Sequence, residues 1–157
     1  MKGIVLAGGQ GTRLGYDGPK GTFPITPIHG KSLFEVLSEK IQSTRERYSC
    51  SLPWLIMTSP TNHDDTVEFF EEVDFFGMDP DTVYFFPQDV NPILGESGEL
   101  LLEEKNSLLM GPNGHGGVFE ALCTSGIGRE LADRGIDLIS YFQVDNPLVT
   151  VADERFI

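Results

Sequence analysis

Two stretches of the chain set charged or hydrogen-bonding side chains among glycines. The first is Leu6-Ala7-Gly8-Gly9-Gln10-Gly11-Thr12-Arg13-Leu14-Gly15, followed closely by Gly18-Pro19-Lys20-Gly21. Glycines without a Cβ let a ligand approach the main chain, and free amides there can point at anionic oxygens. Arg13 adds a planar fork for bidentate phosphate contact, and Lys20 a compact point charge. Lys20 is framed by residues that restrict the backbone, a frame that a solvated lysine does not need, so the pair reads as a phosphate site. The second stretch is Met110-Gly111-Pro112-Asn113-Gly114-His115-Gly116-Gly117. It could admit a planar base between backbone and side chains, with His115 as a hydrogen-bonding group. Asp145 follows an apolar run and precedes Asn146-Pro147. A carboxylate at such a strand tip suits Mg²⁺, which takes one or two carboxylates together with phosphate oxygens and water. The plainer readings are a flexible loop with solvated charges, a turn histidine in solvent and a turn aspartate before proline.

Two better-known nucleotide signatures fail. Gly9, Gly11 and Gly15 are spaced G-x-G-x-x-x-G, one residue off the dinucleotide fingerprint, and Thr58-Ser59 stand where that fold needs an acid to hold a ribose. A nicotinamide-binding domain is therefore disfavoured. No Gly-Lys-Ser/Thr opens a helix in the first loop, which excludes a P-loop. His29 and His63 lack any comparable context and read as surface residues, and Glu103 and Glu104 as solvated charges.

The elements that must position these residues alternate between strand and helix, the pattern of an α/β layered domain. Lys2–Ala7 reads as a short buried strand. Helix one opens at Ser32 with the Ser-x-x-Glu spacing of a capping box and carries Leu33, Leu37, Ile41, Thr44 and Tyr48 on one face. Trp54–Thr58 is a second strand. A helix capped by Thr61 or Asn62 follows, with Asp64 and Asp65 in its first turn, where the helix dipole favours anions. Thr82–Phe86 is a third strand. Residues 87–117 read as mostly irregular, with a short strand at Leu100–Glu103. A helix from Gly117 carries Val118, Phe119, Leu122 and Leu131, with Gly126 or Gly128 as breakers. Ile136–Val144 is a fourth strand. Loops after parallel strands are where such sheets hold ligands, and the unusual residues gather in those loops.

The 157 residues suit one domain, residues 1–157. No apolar run approaches the ~18–20 residues of a membrane span. Ile4–Ala7 is too short for a signal core of about 7–15 residues, so a cytoplasmic protein is expected. Cys50 and Cys123 show no metal or disulfide spacing and read as small buried residues. A net charge of −13 argues against nucleic acid or an anionic membrane as partner. The charge is uneven, with seven Lys/Arg against four Asp/Glu in residues 1–50 and four against twenty thereafter. A locally basic start on an acidic chain suits an anionic ligand.

In order and spacing, the two glycine stretches, together with Phe85-Phe86-Pro87-Gln88, Leu102-Glu103-Glu104-Lys105-Asn106 and Val144-Asp145-Asn146 through Ile157, resemble the eukaryotic-type UDP-sugar pyrophosphorylases. Within that family the likeness is closest to the N-acetylglucosamine branch, and it covers essentially the whole chain. It implies a Rossmann-like, GT-A-like nucleotidyltransferase sheet, mostly parallel, with helices on both faces. It also implies a uridylyltransferase that joins UTP and N-acetylglucosamine 1-phosphate with the help of Mg²⁺ and releases pyrophosphate. A glucose-specific or broad enzyme, or a non-catalytic UTP-binding fragment, are the alternatives. By resemblance, the backbone around Leu6, Gly8 and Gly9 receives the uridine. Gln88 and Gly114 read the uracil edge, and Met110 and Pro112 line its face. Arg13 and Lys20 neutralise the triphosphate and the leaving pyrophosphate, and Asp145 holds Mg²⁺. His115 stands where the N-acetylglucosamine branch often has Asn and glucose-type relatives often have His, and Pro87 replaces a polar residue before Gln88. Members of the family are much longer, so the resemblance implies a truncated, nucleotide-binding part without the C-terminal portion that supplies most of the sugar pocket.

Overall fold

The computed structural model describes residues 3–7 and 9–156, with the backbone alone for residues 3–7, Arg13 and Phe156. In chain order its elements are β1 (Gly3–Ala7), α1 (Leu33–Tyr48), β2 (Trp54–Thr58), α2 (His63–Glu72), β3 (Val83–Pro87), β4 (Val90–Pro92), β5 (Leu102–Glu104), β6 (Ser107–Leu108), β7 (Met110–Pro112), α3 (Gly117–Thr124), α4 (Ile127–Asp133) and β8 (Ile139–Gln143).

Four of the strands form a sheet in the order β3-β2-β1-β8, parallel at each pairing. The chain steps outward from β1 to β3, then returns to lay β8 against the other side of β1. Loops leaving β1 and β2 thus diverge from the loop leaving β8, and a crevice opens at the C-terminal ends of the strands, the ordinary ligand position in an open α/β sheet. Ala7 pairs with both Met57 and Gln143, so the ends of β1, β2 and β8 lie level.

Strand β2 is buried at every residue, which explains its unbroken apolar run. Its side chains alternate between two cores. Trp54 and Ile56 pack with Leu33, Phe34, Leu37 and Ile41 of α1 and Phe70 of α2. Leu55 and Met57 pack with Val118, Ala121 and Leu122 of α3 and Leu131 of α4. Helices therefore cover both faces of the sheet. Phe34, Trp54 and Phe70 meet edge to face at centroid distances of 5.0–6.1 Å, the geometry that ring quadrupoles favour. At the start of α1, Ser32 Oγ accepts from the Glu35 amide at 3.0 Å, and Glu35 itself turns towards Lys31. At the other end, Arg45 donates to the Leu52 carbonyl at 2.7 and 3.0 Å and so ties α1 to the entry of β2.

Several expectations change in the fold. The stretch 87–117 is more ordered than its composition suggests: β4 pairs antiparallel with β7, and β5 with β6. Their pattern is unreadable in sequence because these residues are mostly exposed, without a buried face to impose alternation. Gly126, at φ 79°, separates α3 from α4. Phe119, expected on the apolar face, is 73 % exposed. Cys123 is exposed and Cys50 only half-buried, so neither is a core residue. His63 is half-buried, with Nδ1 2.8 Å from Thr58 Oγ1, rather than a surface residue. Among the described residues no helix is long and apolar enough to cross a membrane.

The core also reaches into the first loop. A Cβ on Gly21 would lie 2.1 Å from the ring of Phe34, which is 1 % exposed and cannot move aside. Gly21→Ala is expected to destabilise the fold by about 2–3 kcal/mol through overpacking, read as a lowered urea midpoint with an unchanged m-value.

Candidate functional site

The first glycine loop doubles back on itself. Gly11 N–H donates to the Gly18 carbonyl at 2.9 Å and Lys20 N–H to the Gly9 carbonyl at 2.7 Å, so Lys20 returns to the end of β1. The three spaced glycines have different reasons. A Cβ on Gly11 would meet the Tyr16 ring at 2.8 Å, and Gly15 sits at φ 66°. Around Gly9 there is open space, and Gly9 lines the crevice. Close approach of a ligand is therefore a property of Gly9, while Gly11 and Gly15 shape the turn.

Lys20 is 8 % exposed, and its Nζ lies 2.8 Å from Asp145 Oδ1. Burying an ammonium is costly unless it is paired, and Asp145, 46 % exposed in its side chain, is the partner. Residues 125 positions apart in the chain, one chosen for phosphate and one for a cation, thus meet at the crevice floor.

The second glycine loop forms the opposite wall. Gln88 continues beyond β3, its N–H donating to the Thr58 carbonyl at 2.8 Å, and its side chain is buried against the crevice. Met110, Pro112 and Gly114 line the same wall, Gly114 at φ 80°. His115 is fixed by both ring nitrogens: Nδ1 is 2.8 Å from Tyr141 Oη, and Nε2 is 3.1 Å from Gln143 Nε2. The imidazole thus bridges the Tyr141 hydroxyl and the Gln143 amide, so its ring is held at both nitrogens. Burial raises the Tyr141 hydroxyl above its ordinary range.

Together these residues enclose a crevice of about 490 Å³, within the range of small-molecule sites. Lys20 and Asp145 are the cation and the anion among the described residues lining it. No group of three or more His, Cys, Asp or Glu converges to hold a metal among the described residues. Of the residues expected at the site, Gly9, Lys20, Gln88, Met110, Pro112, Gly114, His115 and Asp145 line this one crevice. Gly8 and the side chain of Arg13 lie outside the described residues, and Leu6 is described through its backbone in β1.

The sequence analysis assigned no role to Gln10, Ser59, Pro60, Thr61 and Gln143, which also line the crevice, or to Tyr141, which contacts His115. Ser59–Thr61 follow a strand and were legible by position, but their residue types announce no chemistry. Tyr141 and Gln143 were legible by alternation, because they precede Asp145 by four and two residues and, like it, are exposed, with Phe142 and Val144 buried between.

The chain is similar to known proteins over nearly its whole length. A family model described as UTP–glucose-1-phosphate uridylyltransferase matches residues 3–157. A Schizosaccharomyces pombe protein named a probable UDP-N-acetylglucosamine pyrophosphorylase is 44 % identical, over 98 % of this chain and 34 % of its own length. UDP-N-acetylglucosamine diphosphorylase 2 of Arabidopsis thaliana is 39 % identical, over 98 % of this chain and 33 % of its own. The crystal structure of uridine diphosphate N-acetylglucosamine pyrophosphorylase from Trypanosoma brucei superposes with a TM-score of 0.84 at 33 % identity, over 97 % of this chain and 33 % of that one. The chain spans about a third of the length of these relatives.

The His115 contacts staple the second loop to β8. Tyr141→Phe and Gln143→Ala are each expected to loosen it by one net hydrogen bond, about 1 kcal/mol. Amide exchange at Gly117 and Val118, whose N–H groups bond back to Gly114 and His115, should then accelerate roughly fivefold. Unchanged exchange in both variants would show that the loop holds itself.

Proposed function

Since the chain belongs to the UTP–glucose-1-phosphate uridylyltransferase family, we propose that residues 1–157 are the nucleotide-binding part of a uridylyltransferase that makes a UDP-sugar from UTP and a sugar 1-phosphate. The observation that carries the reading is the meeting of Lys20 and Asp145 at 2.8 Å on the floor of a crevice whose other wall is the Gln88–Gly114 region. A base pocket and a charged floor in one crevice are what a nucleoside triphosphate needs.

In the transfer, a sugar phosphate oxygen attacks the α-phosphorus in line. The new P–O bond forms as the bond to the β-phosphate oxygen breaks, and pyrophosphate leaves with the electron pair. No protein nucleophile is required, so the chain's work is positioning and charge stabilisation. Gln88, with donor and acceptor on one amide, and the Gly114 backbone would pair with the uracil edge. Met110 and Pro112 would cover its face, and Gly9 would let the ribose lie against the main chain. Lys20, with Arg13, would neutralise the triphosphate and then the departing pyrophosphate.

A divalent metal fits the donor set. Asp145 already accepts a cation, and Mg²⁺ requires only one or two carboxylates when phosphate oxygens complete its shell. When bound, Mg²⁺ would supply Lewis-acid charge neutralisation on the phosphates. Asp145 would hold it, and Lys20 would then turn its ammonium from Asp145 to the phosphates.

N-acetylglucosamine 1-phosphate is the proposed sugar substrate, because relatives 44 % and 39 % identical to this chain carry that sugar in their names. His115, in a position where glucose-type members often have His, favours glucose 1-phosphate as the second reading.

Calorimetric titration with UTP, with and without Mg²⁺ and beside ATP, tests the proposal. UTP should bind in preference to ATP, and Lys20→Ala should weaken it by about 10–100-fold, the scale of a charged hydrogen bond. Asp145→Asn has an opposite signature. It frees Lys20 and removes a repelling charge, so metal-free UTP should bind more tightly while the Mg²⁺ enhancement disappears. A folded chain that binds neither nucleotide would overturn the reading.

A further inference from the structure

Asp145 lies in an irregular segment. Strand β8 ends at Gln143; beyond the buried Val144 the chain touches the core only through the half-buried Val149 until Val151 and Ala152, each 6 % exposed. Between them the backbone makes two local bonds: Asn146 N–H donates to the Gln143 carbonyl at 3.1 Å, and Val149 N–H to the Asn146 carbonyl at 3.2 Å. Pro147 has no N–H to contribute, and Leu148 is 86 % exposed. Local bonding of this kind does not fix a carboxylate to the tolerance a phosphate site requires.

Lys40 supplies a tertiary anchor. It stands on α1 one residue before Ile41, which is fully buried. A half-buried lysine ordinarily extends its ammonium into water. Lys40 instead donates to the carbonyls of Pro147 and of Val149, the latter at 3.1 Å. Among the described residues no carboxylate pairs with it. Its charge is thus directed at main-chain oxygens whose position sets the turn. Cation-to-carbonyl bonds are stronger than neutral ones, and these come from the helix most deeply embedded in the larger core.

We propose that Lys40 is a positioning residue for Asp145: by clasping the Pro147 and Val149 carbonyls, it transfers the rigidity of α1 to the turn that aims the carboxylate at Lys20 and, on the nucleotide reading given above, at the metal carried by UTP. Lys40 touches neither ligand nor reacting atoms. Its effect is specific to where Asp145 stands, and it leaves the base wall of the crevice alone.

The experiment has two arms on the 157-residue chain, comparing wild type with Lys40→Met, which keeps the stem and loses the donors, and Lys40→Arg, which keeps them. Lys40→Gln, too short to span both carbonyls, replaces the Met variant where that chain does not fold. In the unliganded protein, amide exchange at Asn146 and Val149 should accelerate about five- to tenfold in Lys40→Met, the worth of about one hydrogen bond. Exchange at Leu55 and Ile56 should be unchanged, and Lys40→Arg should restore protection. In UTP titrations, Lys40→Met should lose about tenfold of the Mg²⁺ enhancement, as outer-shell changes at metal sites do, while metal-free UTP binding does not weaken, since a loosened Asp145 only frees Lys20. Unaltered exchange at Asn146 and Val149 overturns the proposal whatever UTP does. A loosened turn with an intact Mg²⁺ enhancement also overturns it, leaving Lys40 as a staple without consequence for Asp145. A wild-type chain that ignores UTP while its turn loosens in Lys40→Met sinks the nucleotide reading and leaves the role of Lys40 in ordering the Asp145 segment standing.

Discussion

The ion pair between Lys20 and Asp145 is the contact on which the arrangement of the crevice depends. A buried ammonium is tolerated only with a counter-charge, and the counter-charge here comes from the far end of the chain. The pair can form only if β8 returns beside β1, because Lys20 is tied by its own N–H to the Gly9 carbonyl at the end of β1, and Asp145 follows the end of β8. The strand order β3-β2-β1-β8 is therefore also the order that creates the site. Were β8 to pair outside β3 instead, the same residues would be three strands apart.

One side of β8 carries both closures. Tyr141 and Gln143 hold His115 and with it the second glycine loop, and two residues further on Asp145 holds Lys20 and the first. Pleating of β8 puts Tyr141 and Gln143 on one side, and the same alternation of burial continues past the strand, with Phe142 and Val144 in the core and Asp145 exposed. The unliganded crevice is thus a polar network closed by its own side chains. A ligand must replace those partners with better ones, and a triphosphate with a divalent cation offers more charge to both members of the Lys20–Asp145 pair than they offer each other. Charge distribution is consistent with this, since Lys20 lies in the basic opening third of an otherwise strongly acidic chain.

Support from beneath is as specific as the crevice itself. The ring of Phe34 leaves no room for a side chain at Gly21, so the residue after Lys20 rests on the aromatic core. Arg45 and Lys40, on the same helix, reach the entry of β2 and the turn after Asp145. Helix α1 thereby couples the larger core to both charged residues of the floor. This explains why a helix whose sequence shows only an ordinary amphipathic pattern carries basic residues at positions 40 and 45 that are spent on main-chain carbonyls rather than on solvent.

The sequence by itself determined the main strands and helices and which loops hold unusual residues. Local patterning is enough for these: a fully apolar β2, a Ser32 cap, and glycines set beside Lys20 and His115 all act within a few residues. It also carried Gly9, Lys20, Gln88, Met110, Pro112, Gly114, His115 and Asp145, because their types are unusual for the loops that hold them or because the family likeness covers them. Only the tertiary structure decided which of them meet. That Lys20 finds Asp145, that Tyr141 and Gln143 hold His115, and that Lys40 holds the turn after Asp145 follow from strand order and helix placement, and neither composition nor spacing encodes them. The hairpins β4–β7 and β5–β6 were illegible for a related reason, since an exposed ladder is specified by pairing rather than by a buried face. Pairing between distant segments is a long-range property, and it is the long-range contacts that turn a set of suggestive loops into one site.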